Sequence, residues 1–283
     1  MASIGLIGIR RRMKSVTNTQ KITKAMGIVA TSKLKKSRER LDGNINYYNY
    51  VKEIKNYILK AIEGKNIYID GNKNGKKLYI CITSNLGLCG GYNVNAVNET
   101  INKLIKDKKN SILMVVGKKG KNYFNKFKIN VEREFLDLGE EPDLEDMNSI
   151  SNLILNMYTN KDVSSVYVIY TKFLSSVKQV AETKKILPLE VNENNDLDHN
   201  FEFEIDPQDM LENIIETYLD EELLNLLLNS KSSEHAARMT AMDAATKNAK
   251  DILDKLNTEY NRIRQSAITE EISEIIGGAE AQK

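Results

Sequence analysis

Apolar side chains recur with the spacing of a helix at both ends of the chain, and with the spacing of strands in between. Stepping alternately three and four residues, from Met239 through Met242, Thr246, Ala249, Leu253, Leu256, Tyr260 and Ile263 to Ala267, meets an apolar side chain everywhere except Thr246. That is a sustained heptad seam. After Ala267 the stripe moves over by one residue to Ile268, Ile272, Ile275 and Ala279, so the tip presents a rotated face. A weaker seam runs from the other end through Ile9, Met13, Val16, Gln20, Thr23, Gly27, Ala30, Leu34, Ser37, Leu41, Asn44, Tyr48, Val51, Lys55, Ile58 and Ile62. Its polar or small members cluster toward the middle, where they permit close helix approach but bury little area.

Proline supports the same division. All three prolines, Pro142, Pro188 and Pro207, lie between residues 142 and 207, and a proline in a helix interior costs about 3 kcal/mol. Asp206-Pro207 is a start signal, an acceptor at the cap followed by proline at the first helical position. The pattern predicts an N-terminal coiled-coil helix over 1–63 and a C-terminal one over 206–283, antiparallel because a domain separates them on one chain.

Between them, Gly64 to Gly75 is a break, and β-branched runs then alternate with helical stretches. Strands are expected near Leu78–Thr83, Ile112–Val116, Ile129–Leu138, Ser165–Lys172 and Val177–Leu187. Helices are expected near Tyr92–Lys108, Lys121–Phe127 and Asp143–Tyr158. Such alternation implies a central α/β, Rossmann-like domain over 76–190, with a mostly parallel sheet closed by an antiparallel pair. Residues 191–205, acidic and rich in Asn, read as a solvated connection.

Length sharpens the picture. A compact globule of 283 residues has a diameter of roughly 50 Å, whereas a helix from 208 to 283 runs about 110 Å. It either breaks into pieces or projects as a shaft whose far end something else covers, and the unbroken seam favours projection.

The formal net charge of +2 hides two poles. Eleven Lys or Arg face one acid between Arg10 and Arg40, while thirteen acids and no Lys or Arg lie between Glu190 and Glu222. Segregation of this kind addresses two different surfaces or partners. The basic run could grip phosphates, but it has no aromatic interleaving for stacking on single strands, and the charge could equally meet acidic loops of a protein partner. A protein partner and no nucleic acid is the reading adopted, with a nucleic-acid binder as its rival. No segment approaches the roughly 20 apolar residues needed to cross a bilayer, so direct transmembrane insertion is not expected either. Two cysteines and two histidines give neither a disulfide framework nor a metal site.

Gly87-Leu88-Cys89-Gly90-Gly91 stands between a predicted strand and a predicted helix, where a glycine-rich turn can cradle a phosphate. It matches neither the dinucleotide fingerprint nor the P-loop, and Gly117-Lys118-Lys119-Gly120 lacks the trailing Lys-Ser/Thr pair. Both read as structural or contact turns, and Cys89 as a small packing residue. No catalytic residue and no cofactor are expected.

Thr19-Gln20-Lys21-Ile22-Thr23-Lys24-Ala25-Met26, the Gly87 to Gly91 turn, and Ile268-Thr269-Glu270-Glu271-Ile272-Ser273-Glu274-Ile275-Ile276-Gly277-Gly278-Ala279 resemble, in order, motifs of the gamma subunits of F-type ATP synthases. The resemblance implies a non-catalytic rotor, whose coiled coil turns in the bore of a hexamer of alpha and beta subunits while the α/β domain stands outside with epsilon on the c-subunit ring. It also implies a peripheral position on the cytoplasmic face of a bacterial cell membrane. Carried over where motifs match, the residues contacting alpha and beta subunits would be Met26, Gly87, Leu88, Cys89, Gly90, Gly91, Arg238, Arg264, Gln265, Thr269 and Glu271. The basic amino-terminal helix would meet acidic loops of beta.

Overall fold

The computed structural model describes residues 2–72, 75–107, 110–190 and 204–280. In chain order the elements are α1 (Ala2–Ala61), α2 (Ile67–Asp70), β1 (Lys76–Ile82), α3 (Tyr92–Lys106), β2 (Ser111–Val116), α4 (Lys118–Lys126), β3 (Arg133–Phe135), α5 (Leu144–Thr159), β4 (Val163–Phe173), β5 (Gln179–Leu187) and α6 (Pro207–Glu280). The two terminal helices are each continuous, over 60 and 74 residues. The described residues form two compact units, one of residues 31–238 and one of residues 1–30 with 239–283.

The first unit is built on a five-stranded sheet of order β3-β2-β1-β4-β5. Strand β1 pairs in parallel with β2 and β4, β3 extends the parallel edge, and β5 returns antiparallel to β4. This is the mostly parallel sheet with a closing antiparallel pair that the alternation predicted. Side chains alternate across it with period two. Leu78, Ile80 and Ile82 of β1, with Met114 of β2 and Val166 and Val168 of β4, face a large core completed by Met147, Ile150 and Ile154 of α5, Ile58 of α1 and Leu211, Leu219, Leu223 and Leu227 of α6. Tyr79 and Cys81 face the other side, with Leu113, Val115, Ala96, Val97 and Phe124. Both faces are covered, which is why the central strands are apolar on both registers.

Several elements differ from the sequence reading. Only Arg133–Phe135 of the expected 129–138 strand pairs with β2. Ile129 and Val131 instead pack on the smaller core beyond the end of α4, so their apolar character serves as cover for a helix end. Helix α4 starts three residues earlier than expected because the turn just after β1 satisfies its amino end. Lys119 N donates to Ser84 O at 3.0 Å, Lys118 N to Asn85 Oδ1 at 3.0 Å and Gly120 N to Thr83 Oγ1 at 2.9 Å, filling three of the orphan donors of a helix start. The break after α1 holds the one-turn α2, capped by Asn66. Strand β5 begins at Gln179, since Val177 sits exposed in the preceding turn. Lys108 and most of the 191–205 connection lie outside the described residues.

The acidic pole also separates into parts. Asp220, Glu221 and Glu222 are buried, and so do not address an outside partner. Glu222 takes Lys184 Nζ at 2.5 Å and hydroxyls from Tyr48 at 3.0 Å and Tyr218 at 3.3 Å. Asn44 donates to Glu221 at 3.1 Å, and Ser151 donates to Asp220. Each carboxylate is therefore bonded or paired, the condition for burying it. Lys55, 4% exposed, lies over the Tyr218 ring, its Nζ 5.0 Å from the centroid.

In the second unit the two helices pair antiparallel in a fixed register. Arg10 Nη2 donates to Tyr260 Oη at 2.8 Å, Thr246 Oγ1 to Thr23 Oγ1 at 2.8 Å, and a Cβ on Gly27 would meet Met242 Cβ at 3.6 Å. The residue numbers in each pair add to 269 or 270. Every seam residue from Met239 to Ala267, and every one from Ile9 to Ala30, is buried or half-buried. Gly27 and the threonines sit where the helices come closest. The register leaves α6 beyond Thr269 with no described residue of α1 opposite it, and residues 268–279 are all exposed.

Two outcomes test this account. A Cβ on Gly120 would stand 2.6 Å from Thr83 Oγ1 and 2.8 Å from Val115 Cγ1, so Gly120→Ala should lower the unfolding free energy by about 1–3 kcal/mol in urea titrations. Burial brings the Lys55 ammonium down to about 8, against the pull of Glu222, while an unfolded lysine titrates near ~10.4. Between those values the unfolded chain binds more protons, so this group's penalty is full below pH 8 and fades as pH rises toward ~10.4. Lys55→Met should stabilise the chain by about 1–3 kcal/mol at pH 7, with the gain shrinking at pH 10; a loss of stability at pH 7 would contradict the assignment.

Candidate functional site

In an open α/β sheet, ligands bind at the carboxyl ends of the strands where the strand order reverses. Here that place lies between β1 and β4, and α6 closes it. Ser230 Oγ accepts from Thr171 N at 3.1 Å and Ser233 Oγ donates to Thr171 O at 3.0 Å, fastening the helix to β4. Arg238 then reaches the turn after β1, donating to Leu86 O at 3.1 Å and Gly87 O at 3.3 Å. Its guanidinium is held by Glu234 Oε1 at 2.7 Å, and both side chains are buried. Protein atoms thus occupy the position that a dinucleotide takes in related architectures, which agrees with reading the glycine-rich turn as structural.

Arg238 also fixes the state of its neighbour. Arginine only donates, so the 3.2 Å contact between Arg238 Nη1 and His235 Nδ1 leaves Nδ1 as the acceptor and puts the imidazole proton on Nε2. Burial and the adjacent guanidinium push the His235 pKa down to about 4. His235 is therefore neutral near pH 7, with an Nε2–H donor.

The turn itself is shaped by a second cluster. Asn93, in the first turn of α3, donates from Nδ2 to Ser84 Oγ at 2.8 Å and to Cys89 Sγ at 3.1 Å, and accepts from Ser84 N at 2.9 Å. Ser84 Oγ donates to Leu86 O at 2.6 Å. Cys89 is buried, and burial raises its thiol pKa. The expected contact residues here divide accordingly. Cys89 and Arg238 are turned into the chain itself and shape the loop, whereas Gly90, Gly91 and above all Leu88, 60% exposed, face outward. Leu88 adopts a φ of 63°, a left-handed conformation costing a non-glycine residue about 1–2 kcal/mol, and it presents its isobutyl group to solvent beside an equally exposed Leu86.

In the helical pair, Arg264, Gln265, Thr269 and Glu271 are exposed on α6. Thr269 Oγ1 donates to Gln265 O at 2.9 Å. Ile272 and Ile275 beside them are 51% and 67% exposed. Met26 on α1 is half-buried. Next to it lies a stripe that the seam pattern had not singled out: Ile22 and Val29 share its face at helical spacing, and both are exposed, as is Ile28. Only a search for apolar residues off the main seam would have found them. Among the described residues no cluster of His, Cys, Asp or Glu suits a metal, and no helix is long and apolar enough to cross a membrane.

Known proteins share this architecture and much of this sequence. A family model described as ATP synthase matches residues 5–282. The chain is 54% identical to the ATP synthase gamma chain of Clostridium novyi (strain NT), covering 100% of both chains. It is 47% identical to that of Clostridium pasteurianum, covering 99% of each. Among solved structures, the rotor of the Euglena gracilis mitochondrial ATP synthase aligns with a TM-score of 0.68 at 17% identity, covering 94% of this chain and 99% of that one. The central stalk and c-ring structure from Tetrahymena thermophila mitochondria aligns with a TM-score of 0.61 at 24% identity, covering 79% and 99%. The solved structures attest the fold alone, but the matches in sequence extend from end to end, and the chain belongs to the ATP synthase gamma-chain family.

Proposed function

We propose that this chain is the central-stalk rotor of an F-type ATP synthase, with its helical pair enclosed by a hexamer of alpha and beta subunits and its α/β unit set against epsilon and the c-subunit ring. The observation that carries the reading is the bare end of α6. Residues 268–279 are exposed without exception, four isoleucines among them, and an apolar surface of that kind is a contact surface. A sleeve of partner subunits covers it.

Contacts to alpha and beta are assigned to Arg264, Gln265, Thr269 and Glu271 at that end, to Met26 with Ile22 and Val29 on α1, and to Gly87, Leu88, Gly90 and Gly91 in the turn. Arg238 and Cys89 hold that turn in shape from behind. An asymmetric pair of helices shows a different face to each surrounding catalytic subunit, so its contacts favour a different conformation in each, and turning it permutes those preferences. The subunit is non-catalytic in this scheme. The exposed basic residues of α1 meet acidic loops of beta, and the complex holds the chain at the cytoplasmic face of a bacterial cell membrane as a peripheral component.

Co-expression with alpha and beta subunits should return one copy of this chain for each three beta subunits by mass, with capture weakened by salt; equimolar recovery or no capture would overturn the assignment. Ile272→Asp with Ile276→Asp should leave the stability of the isolated chain within about 0.5 kcal/mol, as expected of exposed sites. The same pair should weaken capture by the hexamer tenfold or more.

A further inference from the structure

Within the α/β-bearing unit, α1, α6 and the segment ahead of α5 border a half-open cavity of about 110 Å³. That is far more than the 10–15 Å³ needed for one water. Its walls carry the cations Lys33, Lys36, Arg40 and Lys231 together with His235, and its only carboxylates are Glu140 and Glu141. Four positive charges against two negative ones leave an excess of two, because His235 is neutral.

The two glutamates neutralise the walls loosely. Lys33 approaches Glu140 at 2.9 Å, but Lys36 and Arg40 each stand 4.0 Å from Glu141. Arg40 Nη1 is buried and has no hydrogen-bond partner, while its Nη2 is spent on Pro142 O at 2.8 Å. The Nε2–H of His235, itself 3% exposed, points to the same space and stops 3.9 Å short of Glu140, beyond hydrogen-bond reach. One buried, unpartnered donor, Arg40 Nη1, thus stands beside the His235 imidazole in a cavity with a surplus of positive charge. Both glutamates stand more than half exposed, as side chains that can swing aside.

We propose that this cavity binds a small tetrahedral oxyanion of the phosphate class, with Arg40 Nη1 and His235 Nε2 donating to its oxygens and Lys33, Lys36 and Lys231 balancing its charge. Glu140 and Glu141 compete with it from the mouth. Arg238 is a positioning residue, since its bond to Nδ1 keeps the His235 proton on the side that faces the anion. The site shares Lys36 with the basic face of α1 assigned to beta, but its titration on the isolated chain needs neither subunit, so it stands whether or not that assignment does.

Titration of the full-length chain with inorganic phosphate at low salt tests it, read by calorimetry and by the His235 side-chain nitrogen resonances, assigned with His235→Gln. The expected result is one saturable site whose isotherm the Nε2 resonance follows, while chloride at equal ionic strength moves nothing. Lys36→Gln with Lys231→Gln should weaken binding tenfold or more. Glu140→Gln with Glu141→Gln, at exposed positions that do not threaten folding, should tighten it at least threefold. An absence of saturation, a stationary His235 resonance, or weaker binding after removal of the two carboxylates would each overturn the proposal. In a parallel titration, ADP binding no tighter than phosphate assigns the site to the free ion; tighter ADP binding with the same response to the variants assigns it to the terminal phosphate of a nucleotide.

Discussion

An apolar stripe on a helix must be covered along its whole length, and a helix of 74 residues has to find more than one surface to do it. Along Leu211 to Leu227, α6 lays large aliphatic side chains onto the core of the sheet-bearing unit. From Met239 to Ala267 the stripe mixes Met, Ala and Thr with Leu253, Leu256, Tyr260 and Ile263, and is covered by α1. A sheet with a second layer of helices offers depth for leucine, while a single facing helix is met closely through Gly27, Thr23 and Ala30. From Ile268 onward no described residue supplies the cover, and the isoleucines remain exposed.

Between these stretches lies a short polar segment, and it does the fastening. Ser230, Ser233, Glu234, His235 and Arg238 are all buried, in a part of α6 where hydrophobic contact gives way to specific bonds to Thr171, Leu86 and Gly87. Hydrophobic contact alone tolerates sliding, whereas bonds to named carbonyls and amides fix where along its length the helix sits. A buried Arg–Glu pair adds little net stability by itself. Its contribution here is position.

Periodic features were legible in the sequence and long-range ones were not. Every seam residue from Met239 to Ala267 is covered, because a spacing of three and four reports a helix face without knowledge of the partner. The mostly parallel sheet with its closing antiparallel pair followed from the alternation of elements. Ile129 and Val131 misled because an apolar residue capping a helix end looks the same in sequence as one in a strand. Asp220 to Glu222 were counted in the acidic pole that addresses another surface or partner, since the Tyr48, Lys184 and Ser151 groups that make their burial tolerable lie far off in sequence. Arg238 was grouped with the partner-facing residues for the same reason: the carbonyls it binds are about 150 positions away.

The register of the helical pair also has a consequence for thickness. Two packed helices present a cross-section of roughly 20 Å, and one helix alone roughly 10–12 Å. Among the described residues, α6 past Thr269 has no residue of α1 opposite it and stands as a single helix. Among the described residues, the last three turns of α6 are therefore about half as thick as the helical pair behind them.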